Sequence, residues 1–363
     1  MKKFLKNPLA IASCSVIIFF TLIAVLGYLI TPDQTPYANE QHLELGVKKP
    51  GFKVLMLKIY PNDYSNNTSP DGNKLADNHK QFWLKTMLFG KISPTENIPI
   101  YKYKIFSDGT LQYETYTGDT PNEGETKLLS KNVKYEIKQQ KYLLGTDKYG
   151  RDLLSQIIIG TRVSLSVGFI AVFIALVIGV TLGALAGYYG GKFDAVIMWL
   201  INVIWSMPTI LLVIAITFAL GKGFWQVFFA VGLTMWVDIA RMVRGQVMSL
   251  KQKEFVLAGK ALGFSDIRLL FSHILPNTVN ALTVVVASNF ATAILQEAGL
   301  SFLGIGVQPP MPSWGGMIKE NYGYIILDAA YMAIVPGLAI MLLVLAFFLL
   351  GNAVRQAFDV KQR

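Results

Sequence analysis

Six stretches of this 363-residue chain are apolar over roughly the length of a membrane span, and no other feature limits its possible folds as strongly. They run over about 9–30, 162–188, 196–220, 223–240, 279–299 and 329–350. About 20 apolar residues in a helix cover the ~30 Å of hydrocarbon in a bilayer. The composition agrees, with 53% hydrophobic and 15% charged residues and a mean hydropathy of +0.43. These proportions exclude an ordinary soluble enzyme and predict an all-α polytopic membrane protein with six transmembrane helices. The fourth run ends among Asp238 and Arg241, whose three-residue spacing is expected to let them pair at the interface.

The net charge of +10 is read by position. Lys2, Lys3 and Lys6 precede the first run, and Lys192 lies between the second and third. Arg241, Arg244, Lys251, Lys253, Lys260 and Arg268 follow the fourth, and Arg355, Lys361 and Arg363 form the tail. The opposite short loops carry only Lys222 and Lys319. The positive-inside rule then predicts both termini in the cytoplasm, consistent with an even number of spans. It gives no reason to expect a nucleic-acid partner. The first run is long enough to span and lacks a small-residue cleavage site, so an uncleaved anchor is expected. The single cysteine, Cys14, excludes an intramolecular disulfide and is expected to be an ordinary buried residue of that span.

Residues 31–143 differ in kind, being polar and rich in Tyr and Lys. Period-two alternation over 100–106 and 111–116, separated by Ser107, Asp108, Gly109 and Thr110, predicts a hairpin. Residues 53–60 and 132–137 are further strand candidates. The expected organisation is a tail and first helix over 1–30, a β-rich extracytoplasmic insert over 31–143, and a transmembrane domain over 144–363. Nothing in the insert suggests catalysis.

Between the fourth and fifth runs, Glu254, Ala258, Gly259, Ala261 and Gly263 lead to His273, Leu275 and Pro276. Ile267, Leu270, Phe271 and Ile274 fall at i, i+3, i+4 and i+7, one apolar stripe on a short helix. Gly263 is expected to turn a first short helix into this second one, and Pro276 to restart the chain toward the next span. This stretch resembles the EAA loop of ABC importer permeases. Ala258, Gly263, Leu275 and Pro276 match its pattern, while Leu257, Gly259 and His273 replace the usual Glu, Ala and Ile.

Two further segments narrow the resemblance. LGTDKYGRDLLS at 144–155, followed by GTRVSLS at 160–166, is similar to a segment of the C-type permease subunit of dipeptide, oligopeptide and nickel ABC importers. Here Asp147 and Asp152 around Arg151 are expected to form an interfacial charge cluster, with Gly145 and Gly150 permitting close approach to the membrane. QEAGLSFLGIGVQPPMPSWGGM at 296–317 resembles another segment of the same subunits. Gly304 and Gly306 release the backbone from the helix, and Pro309, Pro310 and Pro312 predict a rigid outer loop. Trp314 suits the membrane boundary, and Glu297 is expected to be a capped or paired interface carboxylate. Gly179, Gly183 and Gly187 predict close helix packing, and Pro208 a kink in the third span.

The resemblance implies the type I importer permease fold, with loop 250–276 docking onto a separate ATPase. Its partners would be a second permease, two ATP-binding subunits, an extracytoplasmic substrate-binding protein and the lipid bilayer. No phosphate-binding loop, metal-ligand spacing or catalytic elbow occurs, and His42, His79 and His273 are scattered. The chain is therefore expected to be a non-catalytic transport subunit with no cofactor. The alternatives are a free-standing channel or scaffold, or a permease for nickel or another small solute.

Overall fold

The computed structural model describes residues 7–60, 85–91, 95–118, 124–221 and 223–359. The expectations for Lys2, Lys3, Lys6, His79, Lys222, Lys361 and Arg363 fall outside these residues.

Helix α1, Pro8–Ile30, begins where Asn7 accepts a hydrogen bond from Leu9 N–H and Pro8 fixes the first helical φ. Cys14 lies on it half-buried, more open than expected because this helix touches the rest of the fold along one side only. Then follow strands β1, Phe52–Ile59, β2, Glu96–Ile105, β3, Leu111–Thr115, β4, Thr126–Leu129, and β5, Tyr135–Tyr142. They form one antiparallel sheet in the order β4-β3-β2-β1-β5. The β2–β3 hairpin closes at Asp108, which accepts from Thr110 N–H, and at Gly109. Leu57, Ile100, Leu111 and Tyr113 are buried together on the sheet, and Leu45, Val54, Met56, Tyr116 and Tyr142 form a second cluster.

Helix α2, Leu153–Tyr189, is a span of 37 residues, starting well before the expected boundary. Asp152 caps it by accepting from Ser155 N–H at 2.9 Å, so capping rather than hydropathy sets its start. The third apolar run is broken: α3, Gly191–Trp205, and α4, Thr209–Leu220, meet at 95°. Pro208 produces more than the kink expected of it, because Ser206 and Met207 leave the helix before it. Helix α5, Phe224–Lys251, is followed by the short α6, Glu254–Ala261. Helix α7 is continuous over Asp266–Phe302, then come α8, Trp314–Asn321, and α9, Tyr331–Asp359. Five helices among the described residues are long and apolar enough to cross a bilayer, and the bent α3–α4 pair makes the sixth.

The central packing is α2 against α5. A Cβ placed on Gly179 would lie 2.7 Å from both Trp236 O and Ile239 Cβ, and one on Gly187 2.7 Å from Arg244 O. The three glycines at four-residue spacing thus bring the two backbones together. Helix α7 packs between α5 and α9, and α1 closes the far side against α9 and α2.

Candidate functional site

The segments singled out in sequence gather at two opposite ends of the bundle. At one end α6 and the start of α7 form a helix-turn-helix. Gly263 makes the turn at φ +80°, a conformation that strains any residue with a Cβ. Ser265 opens α7 by accepting from Arg268 N–H. Val256, Leu269, Leu270 and Ile274 are buried and root this element in the core. Gly259 is buried against Leu269, while Glu254, Ala258, Ala261 and Gly263 are exposed. So are Phe255, Leu257, Leu262, Ile267 and Phe271. The expected stripe therefore divides, with Leu270 and Ile274 facing inward and Ile267 and Phe271 outward. Tyr188 of α2 braces the element: its hydroxyl donates to Asp266, and Lys251 donates to its carbonyl.

Pro276 does not restart the chain. It lies exposed within α7, next to half-buried Leu275, and the six residues Leu269–Ile274 adopt a π turn. Leu275 N–H donates to Leu270 O, five residues back. Proline has no N–H to give and its ring crowds the carbonyl four residues earlier, so a widened turn ahead of it lets the helix continue.

At the other end the two remaining motifs meet. Arg151 donates to Asp147 at 2.6 Å and to Glu320 of α8 at 2.7 Å. Asp152 is not part of this pair, being occupied as the cap of α2. Burial opposes the Arg151 charge, but Asp147 and Glu320 outweigh it and raise its pKa above the ordinary value. Gly145 and Gly150 approach the backbone of the insert, at Lys48 and His42, rather than the membrane. Gln156 donates to Ala38 O at 2.7 Å and Tyr331 to Lys48 O at 2.8 Å, tying the insert to α2 and α9.

Glu297 of α7 is wholly buried, has no cationic partner among the described residues, and accepts from Ser301 at 2.8 Å and Ser164 of α2 at 3.2 Å. It is an internal tie between helices, not the interface carboxylate expected. Trp314 is likewise buried, at 0% exposure, with its indole N–H donating to Ile157 O at 3.1 Å. The boundary role fails because Gly160 leaves a seat for the ring on α2. Gly304 and Gly306 end the helix, and the loop with Pro309, Pro310 and Pro312 packs around Arg151, Gln156 and Glu320.

Sequence reading missed a third feature, at mid-depth. A cavity of about 160 Å³ opens where α3 breaks from α4, lined by Trp205, Thr209, Thr234, Asp238, Ser288, Asn289, Thr292 and Gln296 among others. Asp238 and Arg241 do not pair with each other. Asp238 accepts from Trp205 Nε1 at 3.2 Å, and the Arg241 guanidinium lies 4.0 Å from the centre of the same indole. A signal was available: Ser288, Thr292 and Gln296 recur at i, i+4 and i+8, one polar stripe on an otherwise apolar helix.

The family described as binding-protein-dependent transport system inner membrane component matches residues 179–362, and that described as N-terminal TM domain of oligopeptide transport permease C matches residues 1–45. The dipeptide transport system permease protein DppC of Alkalihalophilus pseudofirmus is 41% identical over 223 residues, 61% of this chain and 73% of that protein. The glutathione transport system permease protein GsiD of Pectobacterium atrosepticum is 44% identical over 218 residues, 60% of this chain and 72% of that protein. GsiD of Escherichia coli is 43% identical over 221 residues, covering 61% and 73% respectively.

Proposed function

The chain belongs to the binding-protein-dependent transport system inner membrane components, and we propose that it serves as a C-type permease subunit of an ATP-driven importer of peptides. The observation that carries this reading is the element 254–276. It holds Phe255, Leu257, Leu262, Ile267 and Phe271 exposed on a rooted helix-turn-helix, and clustered exposed apolar residues mark an interaction surface. The partner is a separate ATPase subunit, two of which hydrolyse the ATP that this chain does not. A second permease completes the pathway, of which the cavity at Trp205 and Asn289 is this chain's share. An extracytoplasmic binding protein delivers the solute.

Lys192, Arg244, Lys251, Lys253, Lys260, Arg268 and Arg355 cluster toward the end that carries α6, which supports a cytoplasmic position for that end and for both termini. The insert over 31–143 then lies outside, as a plinth fixed to the transmembrane domain over 144–363. Closure of the ATPase pair on nucleotide pulls α6 and the start of α7 and switches the cavity between outward and inward access.

The test is co-purification in mild detergent with transport measured alongside. The wild-type chain brings down ATPase subunits and a second permease. Ala258→Glu places a charge in the docking surface, and Gly263→Pro cannot adopt φ +80°. Both variants should insert in the membrane, lose the ATPase and lose transport. Transport at the wild-type rate in both would remove the coupling assignment.

A further inference from the structure

The cavity beside the α3–α4 break is more polar than packing between apolar helices requires. A carboxylate and a guanidinium at membrane depth are costly unless they face water, a solute or a partner. Asp238 and Arg241 stand three residues apart on one face of α5 and are both exposed. They could have neutralised each other across that spacing. Instead Trp205 holds them apart, its indole N–H on the acid and its ring face on the base. The two charges are thus kept separate, each with bonding capacity to spare.

The neighbouring wall adds a second, independent observation. Asn289 is 6% exposed, lines the cavity, and its side-chain N–H₂ has no hydrogen-bond partner among the described residues. Gln296, two turns further along α7, has a side-chain carbonyl oxygen that is also buried and unpartnered. Buried polar groups in a folded protein are normally satisfied, so an orphan donor and an orphan acceptor on one wall point to a ligand that supplies the complement. Two successive peptide units do so, one offering its C=O to Asn289 and the next its N–H to Gln296, which stand about 10 Å apart along the helix. A volume of about 160 Å³ is about half of the smaller ligand pockets, consistent with one wall of a chamber shared with a second permease.

We infer that this wall is a solute-binding subsite that reads the two charged ends of a peptide. Asp238 in the cavity lining takes the terminal ammonium, Arg241, outside the lining but against the ring of Trp205, takes the terminal carboxylate, and Asn289 and Gln296 meet successive backbone amides between them. Trp205 is a positioning residue that keeps acid and base apart. This deepens the importer reading above and rests on it. It makes the permease itself selective for free termini, in addition to any selection by a delivery protein.

The experiment uses the assembled complex in proteoliposomes. Cys14→Ser removes the chain's only cysteine, and Thr292→Cys places a reporter in the cavity wall. The rate of maleimide labelling of this chain is followed with trialanine, trialanine amide or N-acetyl-trialanine present. Trialanine should slow labelling. Asp238→Asn should raise the half-protecting concentration of trialanine about tenfold or more and leave that of N-acetyl-trialanine unchanged. Arg241→Gln should do the same for trialanine but not for trialanine amide.

Equal protection by free and blocked peptides, or none by any of them, would overturn the subsite. So would a Thr292→Cys thiol that never reacts in the complex, because the wall would then be an interface with the second permease. Wild-type proteoliposomes with no ATP-driven uptake of peptide would instead sink the importer reading, and the inference with it. Uptake without protection would remove the subsite alone.

Discussion

Replacement of Gly179 by alanine tests the packing on which the whole bundle depends. The added methyl would meet Trp236 O and Ile239 Cβ at 2.7 Å, and Ile239 Cγ2 at 2.8 Å. Two of these atoms belong to or adjoin the backbone of α5, so no side-chain rotation relieves them. Ordinary contact near 3.5 Å requires α2 and α5 to part by about 0.8 Å locally. Such overpacking costs about 1–3 kcal/mol, and separation also weakens the adjoining contacts at Gly183 and Gly187. Alanine gains about 1 kcal/mol over glycine in helix propensity, leaving a net loss of about 0–2 kcal/mol. Gly245 on α5 supplies the control, because a Cβ there meets nothing within 4 Å. Gly245→Ala should therefore stabilise by up to about 1 kcal/mol. Thermal or denaturant unfolding of the detergent-solubilised chain reads both variants, with a predicted separation of about 1–3 kcal/mol. Gly179→Ala at least as stable as Gly245→Ala would refute the close-packing argument.

Two further outcomes follow from ion pairs and buried acids. Arg244 of α5 donates to both oxygens of Asp194 on α3, with side chains 23% and 17% exposed. Asp194→Ala should cost about 1–3 kcal/mol of unfolding free energy, and a double-mutant cycle with Arg244→Ala should recover a coupling of about 1 kcal/mol or more. Burial raises the pKa of both Asp33 and Asp152 at the foot of the insert. The folded state then binds protons that the unfolded state has released, so their contribution to stability is lost as pH rises through the raised folded values. Protection factors around Asn39 and Glu40, referenced to the intrinsic exchange rate at each pH, should accordingly rise as pH falls through those values, and Asp33→Asn should flatten that dependence.

The apolar runs were legible because a span must be apolar over a fixed length, whatever its neighbours. The hairpin was legible because Asp108 and Gly109 carry turn chemistry locally. What escaped depends on partners distant in sequence. Arg151 was expected between Asp147 and Asp152; Asp147 does pair with it, but its second carboxylate is Glu320, 169 residues on. Trp314 belongs to an aromatic type favoured at boundaries, yet Gly160 and Phe20 make a buried seat for it. Strand β4 has only four residues and pairs at one edge, too short for its alternation to register. Pro276 was expected to restart the chain because proline usually interrupts a helix. The π turn that accommodates it is a backbone adjustment with no composition of its own.

Helix α7 runs 37 residues, about 55 Å, from Asp266, just after the exposed turn at Gly263, past Asn289, Gln296 and the buried carboxylate of Glu297 to Phe302. One shaft therefore touches all three regions, held at its far end by Glu297 against Ser164 and at its near end by buried Leu269, Leu270 and Ile274 and by Asp266 against Tyr188. The π turn at Leu269–Ile274 holds one residue more than an α-helical turn closes over, a unit of slack worth about 100° of rotation. That extra residue sets the phase at which Ser288, Asn289, Thr292 and Gln296 leave the joint: with an α-helical turn in its place, the same sequence would turn a face about 100° away toward the cavity. The joint thus sets the orientation of the polar wall from about four helical turns away.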